Sequence, residues 1–266
     1  MSISPLSWTR LEKAAYDNGF DVERPRINDW LTFSSSQTSM RIWLSTIGDA
    51  FFIVAMSRWE VFEALDGLGM TWRDSLPPGA PAARSVGDIV ALHRLLRRAF
   101  QLSRALPDEP LQVFLQETAT LPTTTEAERL CVQRVGQSIF RNGLIDYWEG
   151  RCAITGLAVV ELLRASHIKP WADCATDAER LDVFNGLLLA PHLDAAFDRG
   201  FISINDDGHV VLAESLDPSA HALLGLEEPL QVTRLTDAHR AYLAWHRGHV
   251  FRGEWTDLVM ENADTP

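Results

Sequence analysis

Between residues 151 and 200 the chain gathers side chains that hydrolytic chemistry uses, in three short words: RCAITG (151–156), ASHIKPW (165–171) and FNGLLLAPHLDAAFDRG (184–200). His167 ends an extended run, Asn185 follows eighteen residues later, and Asp194 and Asp198 stand four apart. On a helix, positions i and i+4 share a face, so both carboxylates can reach the same side of a hard divalent cation. An imidazole across from that cation would complete a hydrolytic site. A phosphodiester needs its developing negative charge neutralised and its attacking water deprotonated, tasks suited to a metal ion and to a group that titrates near neutrality. The same residues also have ordinary uses, because carboxylate pairs at this spacing commonly line solvated helix surface and single histidines commonly do no catalysis.

The elements that must hold these residues can be read around them. Cys152 to Gly156 and Val159 to Ile168 read as extended pieces around a turn, and Gly186 to Ala190 reads as a short apolar strand. Pro191 to Phe197 suits a helix entered through proline, whose missing N–H costs nothing in the first turn. Phe201 to Ile204, the turn 205–208 and His209 to Leu212 form a hairpin signal, and helical spacing recurs over 216–224 and 237–245. Upstream, Thr123-x-x-Glu126 predicts a capping box opening a helix through Leu130, Val135 and Ile139 towards Gly143.

The stretch from Leu106 to Thr125, with Pro107, Pro110, Pro122 and a threonine cluster, predicts a connection between two domains. Before it, Trp8 to Tyr16 predicts a helix, Arg41 to Met56 a hairpin turning at Gly48-Asp49, and Val86 to Leu106 an amphipathic helix with Arg94, Arg97, Arg98 and Arg104 away from its apolar face. The expected fold class is therefore α+β, with an N-terminal α+β domain over 1–105, a linker over 106–125 and a second domain over 126–266.

Composition narrows the function classes. The 266 residues are 46% hydrophobic and 23% charged, ordinary for a globular chain and unlike a disordered or collagen-like one. The longest apolar run, Ala50 to Met56, is far shorter than a membrane span, and no signal pattern opens the chain, so a cytoplasmic protein without membrane partners is expected. Cys131, Cys152 and Cys174 contain no C-x-x-C pair, which argues against a disulfide framework or zinc ribbon and for buried reduced thiols. The net charge is −12, from 24 basic and 36 acidic residues. Residues 1–120 carry 12 Lys or Arg against 14 Asp or Glu, and residues 121–266 carry 12 against 22, so phosphate recognition in the second half must rest on a metal ion or a local patch.

The order of the three words resembles the HNH endonuclease family, in particular its restriction-endonuclease-like branch. There a C-x-x-T-G turn, an A-S-H-I-x-P-W segment and an N-G-L-L-L strand lead into a D-x-x-x-F-D-R-G helix; the likeness spans roughly residues 125–250 and is sharpest over 151–204. The resemblance implies a ββα-metal nuclease domain, two strands and a helix around one Mg²⁺-like ion. It implies that His167 is the general base, that Asn185 orders the loop and holds the histidine, and that Asp194 and Asp198 are metal ligands. His192 lies two residues before Asp194, about 200° around an ideal helix, and is assigned with Arg199 to phosphate or supporting contacts. Ser166 stands where many relatives place another ligand. The implied ion is Mg²⁺ or Mn²⁺, since carboxylates and waters suit those ions better than zinc. Trp171 either covers the site or, as is commoner for tryptophan, fills the core.

Such a module reads sequence poorly, so target choice falls to the first domain, as a DNA-recognition or regulatory part. There the arginines of the 86–106 helix are candidate DNA contacts, with solvated surface as the alternative. The aromatics Trp30, Phe33, Trp43, Phe51, Phe52, Trp59 and Trp72 are core or a pocket for a base. The sequence reading is a metal-dependent DNA endonuclease acting on foreign or modified, double-stranded DNA, with a homodimer as the route to cutting both strands. The competing readings are a ligand-gated effector nuclease and a non-catalytic DNA-binding module that keeps the HNH fold.

Overall fold

The computed structural model describes residues 4–48, 51–65, 67–226, 229–232 and 234–253. The chain divides into two compact units, 1–147 and 148–266. In the first, helix α1 (Pro5–Asp17) precedes four antiparallel strands, β1 (Val22–Ile27), β2 (Trp30–Ser34), β3 (Arg41–Ile47) and β4 (Phe51–Met56). Helix α2 (Trp59–Ala64), strands β5 (Met70–Thr71) and β6 (Ala82–Val86), and helices α3 (Ile89–Ala105), α4 (Glu109–Thr118) and α5 (Glu126–Tyr147) follow. The sheet order is β1-β2-β3-β4-β6-β5. Period-two alternation gives the sheet two faces. One carries Phe33, Ile42, Leu44, Phe52, Val54 and Met56, all buried, on the side of α1 and α3, whose own buried stripes run through Leu11, Ala14 and Ala15 and through Leu92, Leu95, Leu96, Ala99 and Leu102. The edge-to-face pair of Tyr16 and Phe33 marks the contact with α1.

The predicted hairpin is β3–β4; its turn residue Asp49 lies outside the described residues. The expected linker is corrected. Pro110 at the start of α4 is compatible with a helix because the first turn needs no N–H donor, and the segment forms a ten-residue helix that buries Phe114. α5 packs with α3 and α4, so it belongs to the first unit, and the division falls at Tyr147 rather than near residue 120. The capping box sits two residues beyond the predicted one. Glu128 accepts from the Thr124 and Thr125 N–H groups at 2.9 and 2.8 Å, and its own N–H donates to Thr125 Oγ1. These bonds hold the Glu128 carboxyl below its usual range.

The second unit contains β7 (Arg164–His167) antiparallel to β8 (Gly186–Leu189), joined by an ordered segment that includes α6 (Asp177–Leu181). Helix α7 (Pro191–Asp198), the hairpin β9 (Ile202–Ile204) and β10 (Val210–Leu212), α8 (Pro218–Leu223) and α9 (Asp237–His249) complete it. α7 lies against β7, which gives the expected ββα arrangement. Its C-terminus is set by sequence. Gly200 adopts φ +73°, and the Gly200 and Phe201 N–H groups bond the Phe197 and Ala196 carbonyls, a Schellman closure that stops the helix just past Asp198. A Cβ at Gly200 would lie 2.0 Å from the Val250 carbonyl oxygen, so the position requires glycine twice over. Among the described residues, no helix is long and apolar enough to cross a membrane.

Candidate active site

The loop between β7 and β8 is held from its last residue by one buried amide. Asn185 is fully buried; its Oδ1 accepts from the Lys169 N–H at 2.8 Å, and its Nδ2 lies 3.2 Å from the Lys169 and Glu179 carbonyls and 3.3 Å from Cys174 Sγ. Its own carbonyl accepts from the Ile168 N–H at 3.0 Å. Lys169 and Glu179 close the same loop with an ion pair of 2.6 Å, and Glu179 also accepts from the Ala175 N–H. The loop therefore has few ways to rearrange.

That rigidity reaches His167 through the peptide after Glu179. The His167 Nε2–H donates to the Arg180 carbonyl at 2.9 Å, which leaves the lone pair on Nδ1. Burial pushes the imidazole down to about 4, with the Arg180 carbonyl opposing, so the ring is uncharged at neutral pH. Trp171 stands edge-on to it at 5.6 Å, half-buried, with the Arg180 guanidinium over its outer face. The core use of Trp171 is thus not what the fold adopts; the residue walls the histidine.

On the opposite side of β7, Ser166 is buried and donates to Asp198 Oδ1 at 3.2 Å. Asp194, one turn earlier on α7, is half-buried beside it. Both carboxyls are raised above their usual range. For Asp194 the cause is burial, opposed by the Ser166 hydroxyl and the Arg164 charge; for Asp198 it is burial and then the charge of Asp194, opposed by Ser166 and Arg199. Asp198 also lies at the negative end of the helix dipole, where a carboxylate is disfavoured. A cation would relieve all three penalties. Among the described residues no group of three or more His, Cys, Asp or Glu side chains could hold a metal, so the donor set here is two carboxylates and a serine hydroxyl. Hard oxygen donors with room for waters fit Mg²⁺ or Mn²⁺.

Ser166, His167, Trp171, Asp198 and His246 line one cleft of about 330 Å³. His246 reaches it from α9. Its Nε2–H donates to the Phe197 carbonyl at 3.1 Å, its Nδ1 accepts from Ser203 Oγ at 3.0 Å, and its ring stacks on Phe197 at 3.9 Å. It fixes the end of the helix that carries Asp198. Of the other candidates, His192 is exposed on the first turn of α7, and Arg199 is exposed at its C-cap; neither lines the cleft. Arg164, which the sequence reading passed over, shares a face of β7 with Ser166 and carries the charge that acts on Asp194. The two-residue alternation of the strand was the signal that could have found it. Cys152 and Cys174 are buried free thiols in hydrogen-bonded surroundings, Cys152 accepting from the Thr155 and Ala190 N–H groups.

The arginine face expected on α3 is corrected. Arg98 is 7% exposed and turns inward, donating to the Asp146 and Tyr147 carbonyls at 2.7 and 2.9 Å, where it caps the end of α5. Arg104 is engaged with Asp146 at 3.3 Å and with Gln37. Arg94 and Arg97 remain exposed.

No curated protein matches the chain. Residues 152–205, which hold the turn, both strands, the loop and the helix just described, match the sequence model of the HNH endonuclease family. The match covers 54 of the 266 residues, and over that segment the chain is similar to HNH endonucleases.

Proposed function

We propose that the protein is a metal-dependent DNA endonuclease of the cytoplasm that hydrolyses phosphodiester bonds in double-stranded DNA, in the restriction of foreign or modified DNA. The observation that carries the reading is the joint presence in one cleft of the uncharged His167 and the Ser166–Asp198 pair, with Asp194 beside it. Ser166, Asp194 and Asp198 would hold Mg²⁺ or Mn²⁺. When bound, such an ion supplies neutralisation of the charge that develops on the phosphate and on the departing 3′-oxygen.

The chain's own residues do the rest. Nδ1 of His167 takes the proton of the attacking water, because Nε2 is committed as a donor to Arg180. Asn185 acts by positioning: it anchors the Glu179 carbonyl, and the next carbonyl orients the imidazole. Trp171 limits the ring's motion and shields it from bulk water. Arg164 and Arg199 lie near enough to act on the carboxylates and provide cations for flanking phosphates in a unit that is otherwise acidic. Cutting both strands calls for two copies, since one site faces one phosphodiester.

The test is plasmid cleavage with Mg²⁺, Mn²⁺ or EDTA, wild type beside a folded His167→Ala protein, on unmodified, cytosine-methylated and hydroxymethylated DNA. Metal-dependent cutting abolished in the variant supports the reading. Undiminished cutting by the variant removes its basis; a wild type that binds either ion without cutting favours the ligand-gated effector, and one that binds neither ion favours the non-catalytic DNA-binding module.

A further inference from the structure

The face of the six-stranded sheet turned away from α1 and α3 has a different chemistry from the helical side. Register places Thr32, Trp43, Ala55 and Ala83 in one row across β2, β3, β4 and β6, and the N–H of Trp72 extends the row by bonding the Ala83 carbonyl at 2.9 Å. Small residues thus lie between two indoles. Three buried polar atoms on and beside this row, Thr32 Oγ1, Trp43 Nε1 and Trp72 Nε1, have no hydrogen-bond partner among the described residues, and Trp43 is only 1% exposed. Buried donors are almost always satisfied in a native protein, so two orphaned indole N–H groups at one place point to an acceptor that arrives from outside.

What covers the row is a strap, residues 73–81, rich in proline. Its contacts with the row are apolar, through Leu76 and Ala80 packed on the Trp43 cluster, and Gly79 passes over the Trp43 ring with room for ordinary van der Waals contact. Among the described residues its one internal backbone hydrogen bond is Ala80 to Pro77, and none ties it to the sheet beyond Trp72. Lifting it would break no ladder and would leave a slot floored by Ala55 and Ala83 with an indole at each end. At the rim, Arg41 projects over the Trp43 ring at 5.9 Å, and the exposed Arg24 starts the same row on β1.

We infer that this slot takes one nucleobase swung out of a DNA duplex, stacked against indole, with its ring acceptors meeting the Trp43 and Trp72 N–H groups and flanking phosphates meeting Arg41 and Arg24. The inference rests on DNA being the substrate of the nuclease, and it assigns base reading to the sheet rather than to α3.

The test is fluorescence-anisotropy titration of the full chain, in EDTA, with a labelled duplex that carries one bulged base and with its fully paired counterpart. A bulge lowers the cost of extrusion, so the bulged duplex should bind about tenfold tighter. Trp72→Phe and Trp43→Phe keep the ring and remove the donor; each should reduce the preference by about fivefold. Thermal melting reports whether Trp43→Phe folds, and if it does not, the more exposed Trp72→Phe decides. Equal wild-type affinity for the two duplexes, or a preference untouched by Trp72→Phe, overturns the inference while leaving the nuclease reading intact. No binding to either duplex overturns both. A base preference in a protein that cuts nothing keeps the inference and removes the nuclease.

Discussion

Helices α3 and α7 carry like charges at the same spacing, Arg94 and Arg98 on one, Asp194 and Asp198 on the other, and the fold uses them in opposite ways. On α7 both carboxylates stay together, because the eight-residue helix lies with one side against β7 and ends at Gly200, so the side bearing Asp194 and Asp198 meets Ser166. On α3 the pair is split. The helix has neighbours on several sides, and Arg98 is drawn to the Asp146 and Tyr147 carbonyls at the end of α5 while Arg94 stays in water. Spacing assigns side chains to a face; the neighbours of the helix decide whether that face is a site, a cap or solvated surface.

The largest effect that would sharpen this contrast is on cleavage. Replacing His167 with Ala should lower the rate about a thousandfold with the melting temperature little changed, as measured by plasmid nicking and circular dichroism. Asp198→Asn should cost about a hundredfold in the same assay. It should also raise, not lower, the melting temperature of the metal-free protein, since a carboxylate disfavoured by burial and by Asp194 is removed. A fall in that temperature would mean that the α7 pair serves stability rather than an ion.

Arg98→Ala should destabilise by about 2–3 kcal/mol, because it strips two carbonyls of a charged donor, whereas Arg94→Ala should stay within about 0.5 kcal/mol in urea unfolding. Equal effects would erase the distinction between the two arginines.

His246 provides a smaller, pH-dependent check. Burial holds it near 4 in the fold, with the Phe197 carbonyl opposing, so the unfolded chain, at its ordinary value of 6.5, binds more protons between the two. Stability should therefore decline as pH falls from about 6.5 towards 4, and His246→Gln should flatten the part of that decline due to this residue, read as melting temperature against pH.

Much of the second unit was legible because its determinants are local. Proline at the first position of α7 and glycine past its end bound the helix within the sequence itself, and the apolar run 186–189 between turn signals marks β8. The strands β1 and β2 were passed over, since β1, with Arg24, Pro25 and Arg26, has none of the apolar alternation of a half-buried strand. The connection over 106–125 misled because proline ends helices in their interior yet opens them at the first turn, and only the packing of α4 and α5 on α3 distinguishes the two cases.

By itself the sequence determined the order of the three motif words, the common face of Asp194 and Asp198, the stop at Gly200 and the acidity that makes an ion or a local cationic patch necessary near phosphate. Only the tertiary structure decided which nitrogen of His167 is basic, that Ser166 turns to Asp198, that Trp171 walls the cleft and that Arg98 is a cap. Each of these depends on an atom supplied from elsewhere in the fold: the Arg180 carbonyl, the Asp198 carboxylate, the His167 ring and the carbonyls of Asp146 and Tyr147. Local propensity bears on backbone shape and on the direction a side chain leaves it, whereas the partner that side chain meets is set by long-range packing.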